Sequence, residues 1–304
     1  MSLDRIRLAS LHDKVISAEE ASAFIEDGMT VGMSGFTRAG EAKAVPLALV
    51  KRAHTNPLKI TLITGASLGN DLDKQLTEAG VLARRLPFQV DNTLRKAINN
   101  GEVMFIDQHL SETVEQMRNL QLKKPDVAII EAVAITEDGG IIPTTSVGNS
   151  ASFAIFAEKV IVEINTNLSP AFEGLHDIYI PTYRPTRQPI PLTQVDERIG
   201  THAINIDPAK IVGIVINNDL HDSPSTVTAP DDETQGIADH LIAFFEKEVA
   251  EERLPKNLGP LQAGIGSIAN AVLTGLKDSN FEDLVMYSEV LQDCTFELID
   301  AGKM

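Results

Sequence analysis

The chain has 304 residues, 43% apolar and 23% charged, a balance that suits a soluble globular protein with apolar side chains enough for one large core or two smaller ones. Its 26 basic residues against 43 acidic ones give a formal charge of −17, which sets it against nucleic acid phosphates and anionic membrane surfaces, so neither is an expected partner. Cys294 stands alone, so no intrachain disulfide can form; the start lacks a signal-peptide core and no run approaches the roughly 20 apolar residues of a membrane span, so the expected setting is the cytoplasm, or the mitochondrial matrix for a chain that has lost a presequence.

In chain order, Ser17 in N-cap position with Glu20 three residues on opens a helix through Phe24 and Ile25, and Gly28 ends it. Met29–Met33 reads as a strand running into Ser34-Gly35-Phe36, and Val45–His54 as a helix with Pro46 tolerated in its first turn. Ile60–Thr64 is a β-branched strand followed by Gly65-Ala66-Ser67, and a helix begins near Asp71. Val103–Ile106 is a strand and Glu112–Leu120 a helix. Val127–Ile135 is almost wholly apolar, as a strand buried on both faces should be, and Asp138-Gly139-Gly140 marks a hairpin turn after it. Val160–Ile164 and Ile211–Ile216 are two more strands, separated by an irregular stretch carrying Pro170, Pro181, Pro185, Pro189 and Pro191. Thr234–Glu252 has helical apolar spacing, Ser267–Leu276 is a second helix, Leu284–Val290 a strand, and an amphipathic helix runs to the last residues.

Strands alternating with helices define an α/β fold with an open, mostly parallel sheet and flanking helices. The expected division is a first domain over 1–215 and the start of a second over 216–304. The later segment holds two or three helices and one clear strand, too little to close a second α/β sheet, so that domain is expected to be incomplete.

Three places could carry chemistry. Glu289 lies at or near the carboxyl end of the apolar strand, where ligands of open α/β sheets bind and where a carboxylate can serve as base, metal ligand or nucleophile, or simply face outward as a polar strand residue. Gly264-Ile265-Gly266 directly precedes a helix, so its N–H groups could hold an anion or a developing oxyanion, or form a tight loop with no ligand. Gly35 and Ser67 follow two strands and could line a cleft or sit in ordinary βα turns. The seven histidines are scattered without metal-ligand spacing, and no metal is implied.

Seven stretches occur in a fixed order: SGFTRAGEAKAVPLAL, LITGAS, RKAINNGEVMFIDQHLS, DVAIIEAVAITEDGGII, SVGNSASF, GIGSIANAVLTGL and MYSEVLQD. On these the chain resembles the acetyl-CoA hydrolase/transferase family, most nearly its succinyl-CoA:acetate CoA-transferases, over nearly its whole length. The resemblance implies the fold of the CoA-transferase group and transfer of coenzyme A from an acyl-CoA to a small carboxylate. It implies that Glu289 attacks the thioester to give an acyl-glutamyl anhydride, which the CoA thiolate converts to a glutamyl-CoA thioester. It also implies a backbone oxyanion donor at Ile265 in the loop flanked by Gly264 and Gly266, and an acyl or carboxylate pocket near Gly35 and Ser67. It implies no cofactor beyond the coenzyme A thioester substrate, a homodimer, and a carboxyl-terminal part supplying the second oxyanion donor. Hydrolysis of acetyl-CoA, with water in place of the carboxylate, is the alternative, as is an inactive half that needs a partner domain.

Overall fold

The computed structural model describes residues 3–222 and 230–304. The chain divides into two units, one of 1–190 and 199–223, the other of 191–198 and 224–304.

The first unit contains, in order, α1 (Ala18–Ser22), β1 (Thr30–Met33), α2 (Ala44–Ala53), β2 (Ile60–Ile63), α3 (Leu72–Glu78), β3 (Leu82–Leu86), α4 (Asn92–Asn99), β4 (Met104–Phe105), α5 (Leu110–Arg118), β5 (Val127–Ile135), β6 (Ile141–Pro143), α6 (Ser150–Phe156), β7 (Lys159–Asn165) and β8 (Ile211–Asn217). Seven strands pair in the order β4-β3-β2-β1-β5-β7-β8, all parallel, and β6 turns back antiparallel on β5. The hairpin expected at Asp138-Gly139-Gly140 is present, with Gly139 at φ +88°, a value that glycine adopts without strain.

Every residue of β5 is buried, as its apolar run demands. Its side chains alternate between two cores. Val127 and Ile129 pack with Met33, Leu49, Leu62 and Leu72, and Ala128 and Ile130 pack with Phe153, Val162 and Ile214. The strand order reverses at β1. The chain runs outward through β2, β3 and β4, then returns to lay β5 on the other side of β1. At such a reversal the loops beyond the carboxyl ends of the strands diverge and leave a crevice.

The expected parallel α/β sheet is thus observed, and Ser17 and Glu20 form the reciprocal cap of α1. Three elements give no clear sequence signal. The strand β3 reads Leu-Ala-Arg-Arg-Leu, and its polar centre hides the apolar period. The helix α4 shows the Asp91 cap, whose carboxylate accepts from the Thr93 and Leu94 amides, but only two of its residues are buried. The helix α6 opens on Asn149 without a side-chain cap.

The second unit holds α7 (Asp232–Ala250), β9 (Pro260–Leu261), α8 (Ser267–Asp278), β10 (Val285–Met286) and α9 (Asp293–Asp300). Its core is Leu258, Leu273, Leu276, Phe281, Leu284, Cys294 and Leu298. The two short strands pair in parallel. The strand expected over Leu284–Val290 is shorter: only Val285 and Met286 pair, and Glu289 lies past the strand end in a loop. The ladder stops because Ser288 turns its hydroxyl to the Ala263 backbone, with Oγ 3.1 Å from the carbonyl oxygen and 3.3 Å from the amide nitrogen.

Candidate functional site

In the second unit, β9 and β10 run side by side, so the loops that leave their carboxyl ends are neighbours. One is Gly264-Ile265-Gly266, leading into α8, and the other carries Glu289. Two side chains bind the loops together. Ser288 reaches Ala263 as described, and Gln292 grips the glycines: its Nε2 donates to the Gly264 carbonyl at 2.6 Å, and its Oε1 accepts from the Gly266 amide at 3.4 Å. The Gln292 amide therefore brackets Ile265 from both sides. Gly266 takes φ +139°, a backbone state other residues avoid, and so lets the loop turn sharply into the helix. Glu289 is exposed, and Ile265 is 61% exposed. The structure thus brings together Glu289, Gly264, Ile265 and Gly266 in one surface loop cluster. A carboxylate beside backbone donors at a helix start can act as a nucleophile whose adduct oxygen meets an N–H.

In the first unit, Gly35 and Ser67 end up on adjacent loops beyond β1 and β2, both buried. The Ser34 hydroxyl accepts from the Asn149 amide at 2.9 Å and ties the β1 loop to the start of α6. A cavity of about 190 Å³ lies among Arg38, Leu68, Gly69, Asn70, Asp73 and Asn92. Three of the residues lining it, Arg38, Asn70 and Asp71, hold positive φ without being glycine. Such strain persists only where the surroundings enforce it.

Beneath these loops is a charge cluster that the sequence reading missed. Lys43 is fully buried, and its Nζ lies 2.6 Å from Glu131 Oε1, 2.8 Å from Asp222 Oδ1 and 2.7 Å from the Glu41 carbonyl oxygen. Burial works against the Lys43 charge, but Glu131 and Asp222 outweigh it and hold the ammonium above its ordinary range. Glu131 also accepts from Thr144 Oγ1 at 2.7 Å and Asn165 Nδ2 at 3.0 Å. Its register partner across the ladder is Glu163, which accepts from the Lys43, Ala44 and Val45 amides at 2.9, 2.9 and 3.1 Å and so caps α2. Burial pushes the Glu163 carboxyl up, and those amides oppose the shift. The signal available beforehand was one glutamate within the apolar run of each of two strands, Val127–Ile135 and Val160–Ile164. In a strand buried on both faces, such a residue must find a partner.

The fold is that of a CoA-transferase-type α/β protein. The family description "Acetyl-CoA hydrolase/transferase N-terminal domain" matches residues 2–216, and the chain belongs to this family. It is 46% identical over 301 residues to a succinyl-CoA:acetate CoA-transferase of Clostridium kluyveri, covering 98% of this chain and 56% of that protein. It is 44% identical over 312 residues to an acetyl-CoA hydrolase of Kluyveromyces lactis, covering 99% of this chain and 59% of the relative. The chain therefore spans a little over half the length of these relatives. Among solved structures, the fold is similar to RipA from Yersinia pestis, with TM-score 0.67 at 19% identity, covering all of this chain and 61% of the other. It is also similar to a 4-hydroxybutyrate CoA-transferase from Porphyromonas gingivalis, with TM-score 0.61 at 18% identity, covering 97% of this chain and 58% of the other. Among the described residues, no helix is long and apolar enough to cross a membrane.

Proposed function

We propose that this chain carries the nucleophile of an acyl-CoA:carboxylate CoA-transferase, and that Glu289 is that nucleophile. The Glu289 carboxylate attacks the thioester carbonyl carbon, the carbon–sulfur bond breaks, and CoA leaves as thiolate from an acyl-glutamyl anhydride. The thiolate then attacks the glutamyl carbonyl of the anhydride, giving a glutamyl-CoA thioester and releasing the first carboxylate. A second carboxylate takes the CoA by the same steps in reverse. Splitting one transfer into two near-balanced exchanges lowers each barrier. The Ile265 N–H is the oxyanion donor of this chain, and Gly35 and Ser67 belong to the acyl or carboxylate pocket. The second donor is assigned to the part of the relatives' length that this chain does not span, and the working form is taken as a homodimer. The observation that carries the reading is the Gln292 and Ser288 tie between the glycine loop and the Glu289 loop. That tie supports the reading by holding the loop of Glu289 against the glycine loop, in a chain that is 46% identical to a CoA-transferase.

Hydrolysis of acetyl-CoA is the second reading, favoured by the 44% identity to an acetyl-CoA hydrolase. The two part at one step, where water rather than a carboxylate resolves the intermediate. Intact mass after incubation with acetyl-CoA or succinyl-CoA tests the nucleophile. A CoA-sized adduct is expected on the unchanged chain and not on Glu289→Ala. If neither gains mass, the missing length of the relatives is added in trans. Continued silence in a folded complex overturns the assignment of Glu289. Where the adduct forms, its decay with and without acetate separates transfer from hydrolysis.

A further inference from the structure

Glu41 is fully buried; its backbone carbonyl accepts from Lys43 Nζ, while its carboxyl lies between the β1 loop and the β2 loop. Its Oε1 accepts from the Gly69 amide at 3.0 Å and from Asn70 Nδ2 at 3.3 Å, both in the loop that follows Ser67. Its other oxygen points to the neighbouring loop. A methyl group placed on Gly35 would stand 2.8 Å from Glu41 Oε2, and one placed on Gly69 would stand 2.5 Å from Oε1. Both glycines are therefore needed for the carboxyl to lie between the loops. Oε2 is buried without a hydrogen-bond partner among the described residues. A carboxyl with one oxygen engaged and one orphaned is better suited to its neutral form, because a proton on Oε2 removes a buried bare charge.

We propose that Glu41 is a positioning residue whose carboxyl joins the Gly35 loop to the Ser67 loop and changes their alignment on gain or loss of one proton. That this alignment reaches an acyl or carboxylate pocket rests on the CoA-transfer reading, whereas the joining of the loops does not. The charges facing Glu41 are Lys43 at the start of α2, Glu131 from β5 and Asp222 beyond β8. Arg38, of the same loop, brings its Cβ and carbonyl oxygen within 3.0 Å of where a Cβ on Gly69 would stand. Burial raises the carboxyl to about 7, Lys43 pulls it down, and Asp222 and Glu131 push it up. Loss of the proton leaves an anionic oxygen in a dry site, so the two loops must part or rotate to solvate it.

The test follows the backbone amides of Gly35, Ser67 and Gly69 by nitrogen–proton correlation spectra of the full chain across the neutral range. All three are expected to shift together with one midpoint near pH 7. Glu41→Gln is expected to abolish that midpoint. Glu41→Asp keeps the charge but withdraws it by one methylene, and serves if the glutamine variant does not fold; it is expected to displace the midpoint for all three amides. Amides that stay still, that titrate separately in the two loops, or that follow the same curve in the variants overturn the proposal. Acyl-CoA turnover is read in parallel. A shared midpoint in a chain that forms no CoA adduct, even in a folded complex with the remaining length of the relatives, upholds the joining of the loops and removes only the CoA-transfer reading.

Discussion

Replacing Lys43 with methionine keeps most of the buried stem and removes the charge. Three contacts go with it, to Glu131, Asp222 and the Glu41 carbonyl. They are not equal. The Asp222 side chain is 23% exposed, so water can take over part of its loss, whereas the Glu131 side chain is 0% exposed and, among the described residues, keeps only Thr144 and Asn165. Breaking a buried ion pair from one side leaves an uncompensated charge and costs about 3–5 kcal/mol. Most of that cost should come from Glu131. A second change, Glu131→Gln, removes the stranded charge, so the double variant should recover about 1–3 kcal/mol relative to the sum of the single changes. The chain has two units, so one global unfolding transition is a poor gauge. Hydrogen exchange of the β5 and β7 amides reads the first unit alone, and there the single variant should exchange roughly two hundred- to five thousandfold faster. A change below about 1 kcal/mol, or additivity in the double variant, would refute the view of Lys43 as the counter-ion that makes this cluster tolerable.

Two further outcomes follow from the same geometry. The Glu41 carboxyl is raised from 4.5 to about 7 in the folded chain. The folded state therefore holds the extra proton, and stability should fall as pH rises from 4.5 to about 7 and then level off, a loss of about 3 kcal/mol. Glu41→Gln should flatten that slope in first-unit hydrogen exchange, and an unchanged slope would contradict the burial argument. In the second unit, Gln292→Ala unties Gly264 and Gly266 from the Glu289 loop. It should slow formation of the CoA adduct about ten- to a hundredfold while leaving the α8 and α9 amides protected, because a small misplacement of reacting groups is costly even in an intact fold. An adduct rate equal to that of the unchanged chain would dissociate the tie from the chemistry.

The sheet was legible in the sequence in its central strands, since Val127–Ile135, broken only by Glu131, and Ile211–Ile216 announce themselves by near-continuous apolar character. Legibility failed where a polar side chain finds its partner through tertiary structure. Arg85 sits fully buried in β3 only because Asp73 of α3 accepts from its Nε at 2.8 Å and its Nη1 donates to Thr64 Oγ1 at 2.8 Å. No local period records that pairing. The same limit separates the glutamates. Glu131, Glu163 and Glu289 each stand in or beside an apolar run, and from the run alone any of them could carry chemistry. Their surroundings divide them. The first two have their oxygens taken by Lys43, Thr144, Asn165 and the α2 amides, and serve the fold. Glu289 has left its strand and is exposed beside a glycine loop. A carboxylate saturated with donors has little reactivity left to offer, whereas one at a loop edge beside backbone N–H groups can still meet a substrate carbonyl. The ladder break at Ser288 therefore matters for the site. Had the strand continued to Val290, Glu289 would be one more ladder residue with its backbone pinned in the sheet. By ending the pairing at Met286 and fastening Ser288 to Ala263, the chain frees Glu289 while keeping its neighbours fixed.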